Sequence, residues 1–377
     1  MLPREHFDLA VVGAGVIGLA HALAAARLGK RVVVVDRDAQ ANGASIRNFG
    51  FVTVTGQQRG EMWRLARRSR DVWVEIAGRA GIAIEHRGLA VTAQRPEARA
   101  VLEAFQHTEM AEGCAWLSAD AAAARLNPLQ PPEGALLSGI DVRVDSRRAI
   151  PALARWLAAQ YGVDIRRGVA VHAVETGRLG TTVGMIGADA VVVCPGDDLA
   201  SLFPEHLTAV TRCKLQMLRL AAPGWRLPAA VMSDLSLLRY GGYAALPEAA
   251  ALRRRLEADR PEHLARGVHL IVVQNADGSL VVGDSHDYGA TPDPFASEAV
   301  DRLILDEFQA VFGLPAPPVV ERWTGTYASA AVQNVIATPA RDVRLVTITN
   351  GTGASLAFGL AERVIADLLN LKAGATA

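Results

Sequence analysis

Cysteine is scarce in this chain of 377 residues: Cys114, Cys194 and Cys213 are the only three, an odd number at wide spacings. There is no C-x-x-C pair and no Cys/His cluster, so neither a disulfide framework nor a zinc module is encoded in the usual way. No metal site is expected, and a reducing cytoplasm is the expected setting. Net charge is also absent, with 39 Lys plus Arg against 39 Asp plus Glu. Bulk association with nucleic acid or a membrane surface calls for excess positive charge and is not expected. No uninterrupted apolar run reaches about 18 residues, so no membrane-spanning helix is expected. Internal repeats and low-complexity linkers are missing too. Apolar residues, by contrast, make up 50% of the chain. That composition argues against disorder, and the length allows two domains with their own cores.

The chain is organised around residues 8–36, which read DLAVVGAGVIGLAHALAAARLGKRVVVVD. An apolar run of strand length at 9–12 leads into Gly13, Gly15 and Gly18, spaced as G-x-G-x-x-G. An Ala/Leu-rich stretch at 19–28 reads as a helix, and Gly29 stops it. A β-branched run at 31–35 follows and ends in Asp36. Gly13 suits a tight turn, Gly15 a close approach of backbone to a pyrophosphate, and Gly18 close helix–strand packing. Free N–H groups and the dipole at the helix start favour an anion there. Asp36 lies where a carboxylate accepts from a ribose hydroxyl. A secretory signal is not expected, because Asp8 and the glycines break the apolar region and a hydrophobic strand follows directly.

Beyond Asp36, a small polar loop runs into Ile46-Arg47-Asn48-Phe49-Gly50-Phe51. Arg47 and Asn48 beside a glycine suit neither a core strand nor a plain turn. They are candidates for phosphate, flavin or substrate contacts, the alternative being a surface loop. Helices are expected at 61–80, 96–112, 118–124 (capped by Ser118), 147–161, 249–257, 297–312 and 356–371. Strands are expected at 82–85, 88–92, 134–144, 163–174, 181–193, 319–324 and 343–349, with a hairpin over 268–274 and 280–283. Residues 212–220 alternate as a strand does, and Arg239-Tyr240 is placed at a strand end. A second glycine-rich strand-to-helix turn, Asn350-Gly351-Thr352-Gly353-Ala354-Ser355, opens the last helix and offers a second set of free N–H groups. The expected fold is α/β: a discontinuous Rossmann-type dinucleotide-binding domain from 1–85, 145–205 and 328–377, which a family resemblance makes an FAD-binding domain. An inserted α+β substrate domain on an antiparallel sheet would use 86–144 and 206–327.

Two glycine-rich helix openings, one near each end, with strand-rich insertions between them, resemble the D-amino-acid oxidase/glycine oxidase superfamily. The resemblance covers essentially the whole chain. It implies that Gly13, Ala14, Gly15, Val16, Ile17 and Gly18 hold the FAD pyrophosphate, and that Asp36, with Arg37 beside it, holds the adenosine ribose. Val171 is implied at the adenine. Ala44, Ser45, Asn48, Phe49 and Gly50 are implied in the flavin loop, with Gly196 and Gly325 as further contacts. Asn350, Gly351, Thr352, Gly353, Ala354 and Ser355 are implied to face the flavin ring, where their partial positive charge stabilises the reduced form. No cysteine stands near Tyr327 in the sequence, so the implied FAD is non-covalent.

A finer resemblance rests on Gly43 to Gly50, on Arg212-Cys213-Lys214-Leu215-Gln216-Met217, on Arg239-Tyr240, on Gly283-Asp284-Ser285-His286 and on Arg322-Trp323-Thr324-Gly325-Thr326-Tyr327. Those segments are similar to a subgroup linked to aminophosphonate breakdown, which oxidises 2-aminoethylphosphonate or its N-methyl or hydroxyl relatives. The glycine/sarcosine branch usually has a basic residue just after the Trp-x-Gly turn, where this chain has Tyr327, which argues against an ordinary α-amino acid. The implied reaction moves a hydride from the carbon bearing nitrogen to the flavin. The imine then hydrolyses to a phosphonoacetaldehyde-type product and ammonia or methylamine, and oxygen is reduced to hydrogen peroxide. Alignment of the neutral amine suffices for such a step, so no obligatory general base is nominated. A phosphonate dianion calls for cationic and hydroxyl donors, and the candidates are Arg47, Lys214, Arg239, Tyr240, His286 and Tyr327. The alternatives are a glycine, sarcosine or D-amino-acid oxidase, and a non-catalytic or NAD-binding protein. Expected partners are the amine and oxygen, in a monomer or small homo-oligomer.

Overall fold

The computed structural model of the chain describes residues 5–370. Residues 1–4 and 371–377, the outer ends of the first and last expected segments, lie outside the described residues. Four consecutive valines in the strand Val32–Asp36 have at most 2% of their surface exposed. A run apolar at every position, rather than every second one, is what a parallel strand covered on both faces requires. Each such side chain contributes about 1.5–3 kcal/mol of burial. The strand pairs in parallel with His6–Val12 on one side and Asp164–Arg167 on the other. His6–Val12 pairs in parallel with Gly184–Val193, which pairs in parallel with Val343–Ile348. Asn334–Ala340 closes that edge antiparallel. A meander of Val171–Glu175 and Arg178–Thr181 completes an eight-stranded sheet.

One face of this sheet carries four helices: Val16–Arg27, Glu61–Ala77, Ser146–Tyr161 and Gly353–Leu368. The first and last pack on each other, and Trp73 meets Phe358 edge-on with ring centroids 5.0 Å apart. The meander and residues 199–210 cover the other face. Helices on one side and a small antiparallel layer on the other leave the carboxyl ends of the parallel strands as the open edge, where ligands of such sheets bind.

The second sheet has ten strands and is almost wholly antiparallel. Its two longest pairings are Ile84–Ala93 with Gly134–Val144 and Thr211–Leu220 with Val319–Ser329. Phe51–Val52 already belongs to it, so the chain enters this sheet before residue 86. Gln216, an inward position of Thr211–Leu220, donates to the carbonyl of Ser297 at 2.7 Å and ties the helix Glu298–Phe312 to the sheet.

Several expected elements differ in detail. The strands expected at 82–85 and 88–92 are one strand, Ile84–Ala93, with register shifts between Ile84 and His86 and between Arg87 and Leu89. The 163–174 strand is two, broken at Gly168, whose φ is 69°. The 181–193 strand is a hairpin arm that starts at Gly184. The 96–112 helix stops at Gln106, and a short strand, Cys114–Leu117, follows. Arg239 and Tyr240 stand not at a strand end but between a 3₁₀ turn, Asp234–Leu238, and a short helix, Gly241–Ala244. The strand expected to end at 324 continues to Ser329, so Trp323 to Tyr327 is strand rather than turn. Among the described residues, no helix is long and apolar enough to cross a membrane.

Candidate active site

The two glycine-rich turns meet. A Cβ on Gly353, at the start of the last helix, would lie 3.8 Å from Val16 Cγ1, at the start of the first. Gly18 sits so close to the preceding strand that a Cβ there would fall 1.8 Å from the Gly13 carbonyl oxygen. Gly13 itself has a φ of 100°. That contact fixes the helix start against the strand end. Ser45 Oγ accepts from the Val16 N–H at 2.9 Å, and Asp36 Oδ2 accepts from the Ala14 N–H at 2.6 Å. The N–H groups of Gly15, Ile17 and Gly18 have no partner among the described residues, and neither do those of Gly353, Ala354 and Ser355. Both sets open on one cavity of about 380 Å³. Six unpaired N–H groups at two helix starts make a cradle for an anionic, oxygen-rich ligand.

The remaining walls come from both sheets. Arg143 is buried and reaches across to the Phe49 carbonyl, to which its Nε donates at 2.9 Å, holding the 44–50 loop against the second sheet. Asn48 spends its side chain on that loop: Nδ2 donates to the Ala44 carbonyl and Oδ1 accepts from the Gly50 N–H, each at 2.6 Å. Arg47 donates from Nη2 to Asn42 Oδ1 at 2.9 Å. On the far wall Arg239 donates from Nη1 to Tyr288 Oη at 3.0 Å and from Nη2 to Tyr327 Oη at 2.9 Å. Burial opposes the Arg239 charge, but Tyr327, Tyr288 and Asp284 outweigh it, and the guanidinium stays cationic. Burial pushes the Tyr327 and Tyr240 hydroxyls above the ordinary tyrosine range, so both keep their protons.

Beside Arg239 lies a buried trio. His269 Nε2 is 3.1 Å from Asp284 Oδ1, and His286 Nε2 is 3.7 Å from Asp284 Oδ2. His286 Nδ1 is 2.8 Å from the Gly267 carbonyl, and His269 Nδ1 is 3.0 Å from Ser236 Oγ. Burial, then the Arg239 charge, hold the His286 imidazole down at about 3, against the opposing pull of Asp284. Burial works the other way on Asp284, yet His286, His269 and Arg239 keep its carboxyl below the usual range. Among the described residues, these three alone bring possible metal-ligand atoms within 4.8 Å of one another. Their two rings stack, however, with centroids 5.2 Å apart and planes 21° apart. In-plane lone pairs of stacked rings do not converge on one ion, and Arg239 adds positive charge beside them.

The cavity is lined by Gly15, Val16, Ile17 and Gly18, by Ala44, Ser45, Asn48 and Phe49, by Gly196 and Gly325, and by Asn350 to Ser355. Arg47, Arg239, Tyr240, His286 and Tyr327 also line it. Gly13 and Ala14 lie behind the first turn. Asp36, Arg37 and Val171 lie beyond the cavity, around the Asp36 strand end: Val169 N–H donates to the Asp36 carbonyl at 3.0 Å, and Arg37 pairs with Asp198 at 2.7 Å. Two candidates are placed elsewhere. Lys214 points away from the cavity, between Asp287 and Asp293, at 3.6 Å from each. Gly50 packs on the neighbouring strand, where a Cβ would fall 1.8 Å from the Val144 carbonyl oxygen. Cys213 is opposite Tyr327 across the strand pair, although distant from it in sequence. Its thiol is buried and pushed up to about 11, so it is not poised to attack a flavin. Three wall residues escaped the sequence reading: Tyr288, His269 and Asp284. Asp284 lies in the Gly283–His286 segment that the resemblance singled out and Tyr288 two residues beyond it, while His269 lies in an apolar run that reads only as strand.

The chain matches the model of the FAD-dependent oxidoreductase family (DAO) over residues 8–368. It belongs to that family and is an FAD-dependent flavoprotein oxidoreductase. Its fold is shared with glycine oxidase from Geobacillus kaustophilus at 21% identity and a TM-score of 0.75, covering 97% of this chain and 95% of that one. It is likewise shared with L-proline dehydrogenase from P. horikoshii (17% identity, TM-score 0.77, covering 97% and 94%). Iminodiacetate oxidase from Chelativorans sp. BNC1 has the same fold (17% identity, TM-score 0.72, covering 96% and 95%). No curated protein matches the chain by sequence. The six unpaired N–H groups around the cavity fit the cofactor that the family implies.

Proposed function

We propose that the chain oxidises a small aminophosphonate, namely 2-aminoethylphosphonate or its N-methyl or 1-hydroxy derivative, at the carbon that bears nitrogen. Gly15 to Gly18 hold the FAD pyrophosphate, Asp36 the ribose, and the 350–355 turn the ring. Both Asp36 oxygens already accept N–H groups, Oδ1 from Asp38 at 2.8 Å, and each retains a lone pair for a hydroxyl. The bound flavin supplies a hydride acceptor, and oxygen takes the electrons on to hydrogen peroxide. Residues 1–85, 145–205 and 328–377 form the cofactor unit, and 86–144 and 206–327 the substrate unit.

The observation that carries this reading is Arg239 between two tyrosine hydroxyls on the cavity wall. Because the guanidinium donates to both phenol oxygens, each hydroxyl keeps its own hydrogen to give to an anion. Arg239, Tyr288 and Tyr327 thus offer a cluster of donors suited to the three oxygens of a phosphonate, and Arg47 also lines the cavity. The same cluster could hold a carboxylate. The runner-up is therefore a glycine, sarcosine or D-amino-acid oxidase, a reading favoured by the fold shared with enzymes named for glycine, proline and iminodiacetate.

The test is anaerobic bleaching of the flavin, followed by peroxide production in air, with the three aminophosphonates set against glycine, sarcosine and D-alanine. Reduction by an aminophosphonate at least tenfold faster than by any amino acid is expected. Reduction by the amino acids alone would transfer the assignment to the runner-up.

A further inference from the structure

The buried trio beside Arg239 contains a missing proton, and its place follows from hydrogen-bond bookkeeping. The Gly267 carbonyl can only accept, so His286 Nδ1 carries the hydrogen of that 2.8 Å contact. In the neutral ring, Nε2 is then a bare lone pair. Asp284 is ionised and can also only accept. Its Oδ1 lies 3.1 Å from His269 Nε2 without a hydrogen bond of good geometry, and His269 Nδ1 is 3.0 Å from Ser236 Oγ, which also has the Leu270 carbonyl within 3.5 Å. The contact between Asp284 Oδ2 and His286 Nε2 therefore holds no hydrogen. There two acceptors face each other at 3.7 Å, too far for a hydrogen bond. Asp284 and both histidines line the cavity.

We infer that this gap receives the ammonium proton of the substrate before the C–H bond is broken, with His286 Nε2 as the acceptor and Asp284 as its counter-ion. The inference rests on the amine-oxidising reading above. In the step, an N–H bond of the ammonium breaks and its electron pair stays on the amine nitrogen. A new N–H bond forms at His286 Nε2, and no electron changes owner. The new imidazolium N–H is directed at Asp284 Oδ2 and turns two facing acceptors into an ion pair.

The need for such an acceptor is quantitative. A group resembling the lysine amine, with a pKa of about 10.4, is neutral in roughly one molecule in 2,500 at pH 7. Only the neutral form has the nitrogen lone pair that assists loss of hydride. The groups facing His286 are Asp284 and His269, Arg239, and the hydroxyls of Tyr288 and Tyr327, whose rings lie with centroids 6.4 Å from its own. Arg239 is the one cation among them, and it opposes protonation of His286. Burial is the larger opponent of that proton and Arg239 adds to it. A substrate anion seated on Arg239 cancels the Arg239 share, so binding of the anionic end raises the proton affinity of the acceptor at the amine end.

The experiment has two parts. The holoenzyme is titrated with ethanesulfonate, an anion without an amine or a titrating group, at pH 5 and 6 by calorimetry in two buffers of different ionisation enthalpy. Net proton uptake is expected for the wild type and little for H286Q; no uptake by the wild type overturns the inference, whatever the variant does. Flavin reduction is then followed anaerobically from pH 6 to 9.5 with an amine that passes the screen above. Wild-type reduction should vary less than threefold between pH 6.5 and 8.5. In H286Q with full FAD content it should be at least 100-fold slower at pH 7 and rise about tenfold per pH unit. Equal rates and equal profiles in the two proteins overturn the acceptor alone. Failure of every amine in the panel to reduce the flavin overturns the amine-oxidising reading, and the acceptor with it.

Discussion

Replacing Arg239 by Met separates a residue that binds the anionic end of the substrate from one that only braces the wall. The guanidinium is buried and gives one N–H to Tyr288 at 3.0 Å and another to Tyr327 at 2.9 Å. Met has a similar length and no charge, so the cavity keeps its shape while the anion loses its countercharge. A hydrogen bond to a charged group contributes about 1.5–3 kcal/mol, and the two that a fork gives to one anion contribute about 3–6 kcal/mol. The tyrosine hydroxyls and Arg47 remain and compensate in part, so a net loss of about 3 kcal/mol is the working figure. At 1.36 kcal/mol per decade this is roughly 150-fold in kcat/KM. The assay compares the aminophosphonate with propylamine, which has the amine but no anion. R239M should lose about 100-fold or more on the first and less than fivefold on the second, with FAD content unchanged. R239K, which keeps the charge without the fork, should fall between wild type and R239M. Equal losses on both substrates would refute the reasoning, because they would make Arg239 a brace and not an anion site.

Three further outcomes follow from the geometry. G18A places a methyl group 1.8 Å from the Gly13 carbonyl oxygen and 3.2 Å from Val11 Cγ1, and backbone cannot yield cheaply. The helix start must shift, and FAD affinity should fall at least tenfold, read as loss of flavin absorbance on dialysis. K214M should leave kcat/KM within twofold, because Lys214 is engaged with Asp287 and Asp293 outside the cavity. Acid should destabilise the fold: burial holds His21 and His86 down at about 4, against 6.5 in the unfolded chain. Between those values the unfolded chain binds the extra protons, so this contribution is fully present above pH 6.5 and is lost as pH falls toward 4. At pH 5, 1.5 units below 6.5, each costs about 2 kcal/mol. Urea midpoints at pH 7.5 and pH 5 measure it, and because His286, held at about 3, adds a like share, H21Q should flatten the difference by about a third.

What was legible in the sequence divides along physical lines. The parallel sheet and its two glycine-rich turns could be read because they are local. Strand, turn and helix follow within 29 residues at 8–36, and the uniform valines of Val32–Asp36 signal burial on both faces. The walls of the site were harder. Arg239 is brought to the cavity by a 3₁₀ turn with no sequence periodicity, Tyr288 by a three-residue strand, and Tyr327 by a strand that continues through Gly325, which reads as a breaker. The alternation of 212–220 allows Lys214 to face away from the site, and the pairing of Lys214 with Asp287 in the sheet register puts its amine among carboxylates. Cys213 and Tyr327 are neighbours only because two long strands pair antiparallel, a fact no spacing contains.

The division of labour between the sheets has a consequence for specificity. The cofactor cradle is made of backbone N–H groups at two helix starts, fixed by contacts such as Gly18 against Gly13, and it tolerates almost no change. The anion wall is made of side chains from separate elements of the second sheet and its connections, held by Arg239 reaching to Tyr288 and Tyr327. Those side chains can be exchanged without disturbing a helix start. One fold can then serve enzymes named for glycine, for proline and for iminodiacetate, at identities of 17% to 21% with this chain. Membership of the family fixes the flavin cofactor, and likeness of fold leaves the substrate open. The substrate has to be argued from the wall, and in this chain the wall pairs a forked cation, flanked by two hydroxyls, with a histidine lone pair turned toward a carboxylate.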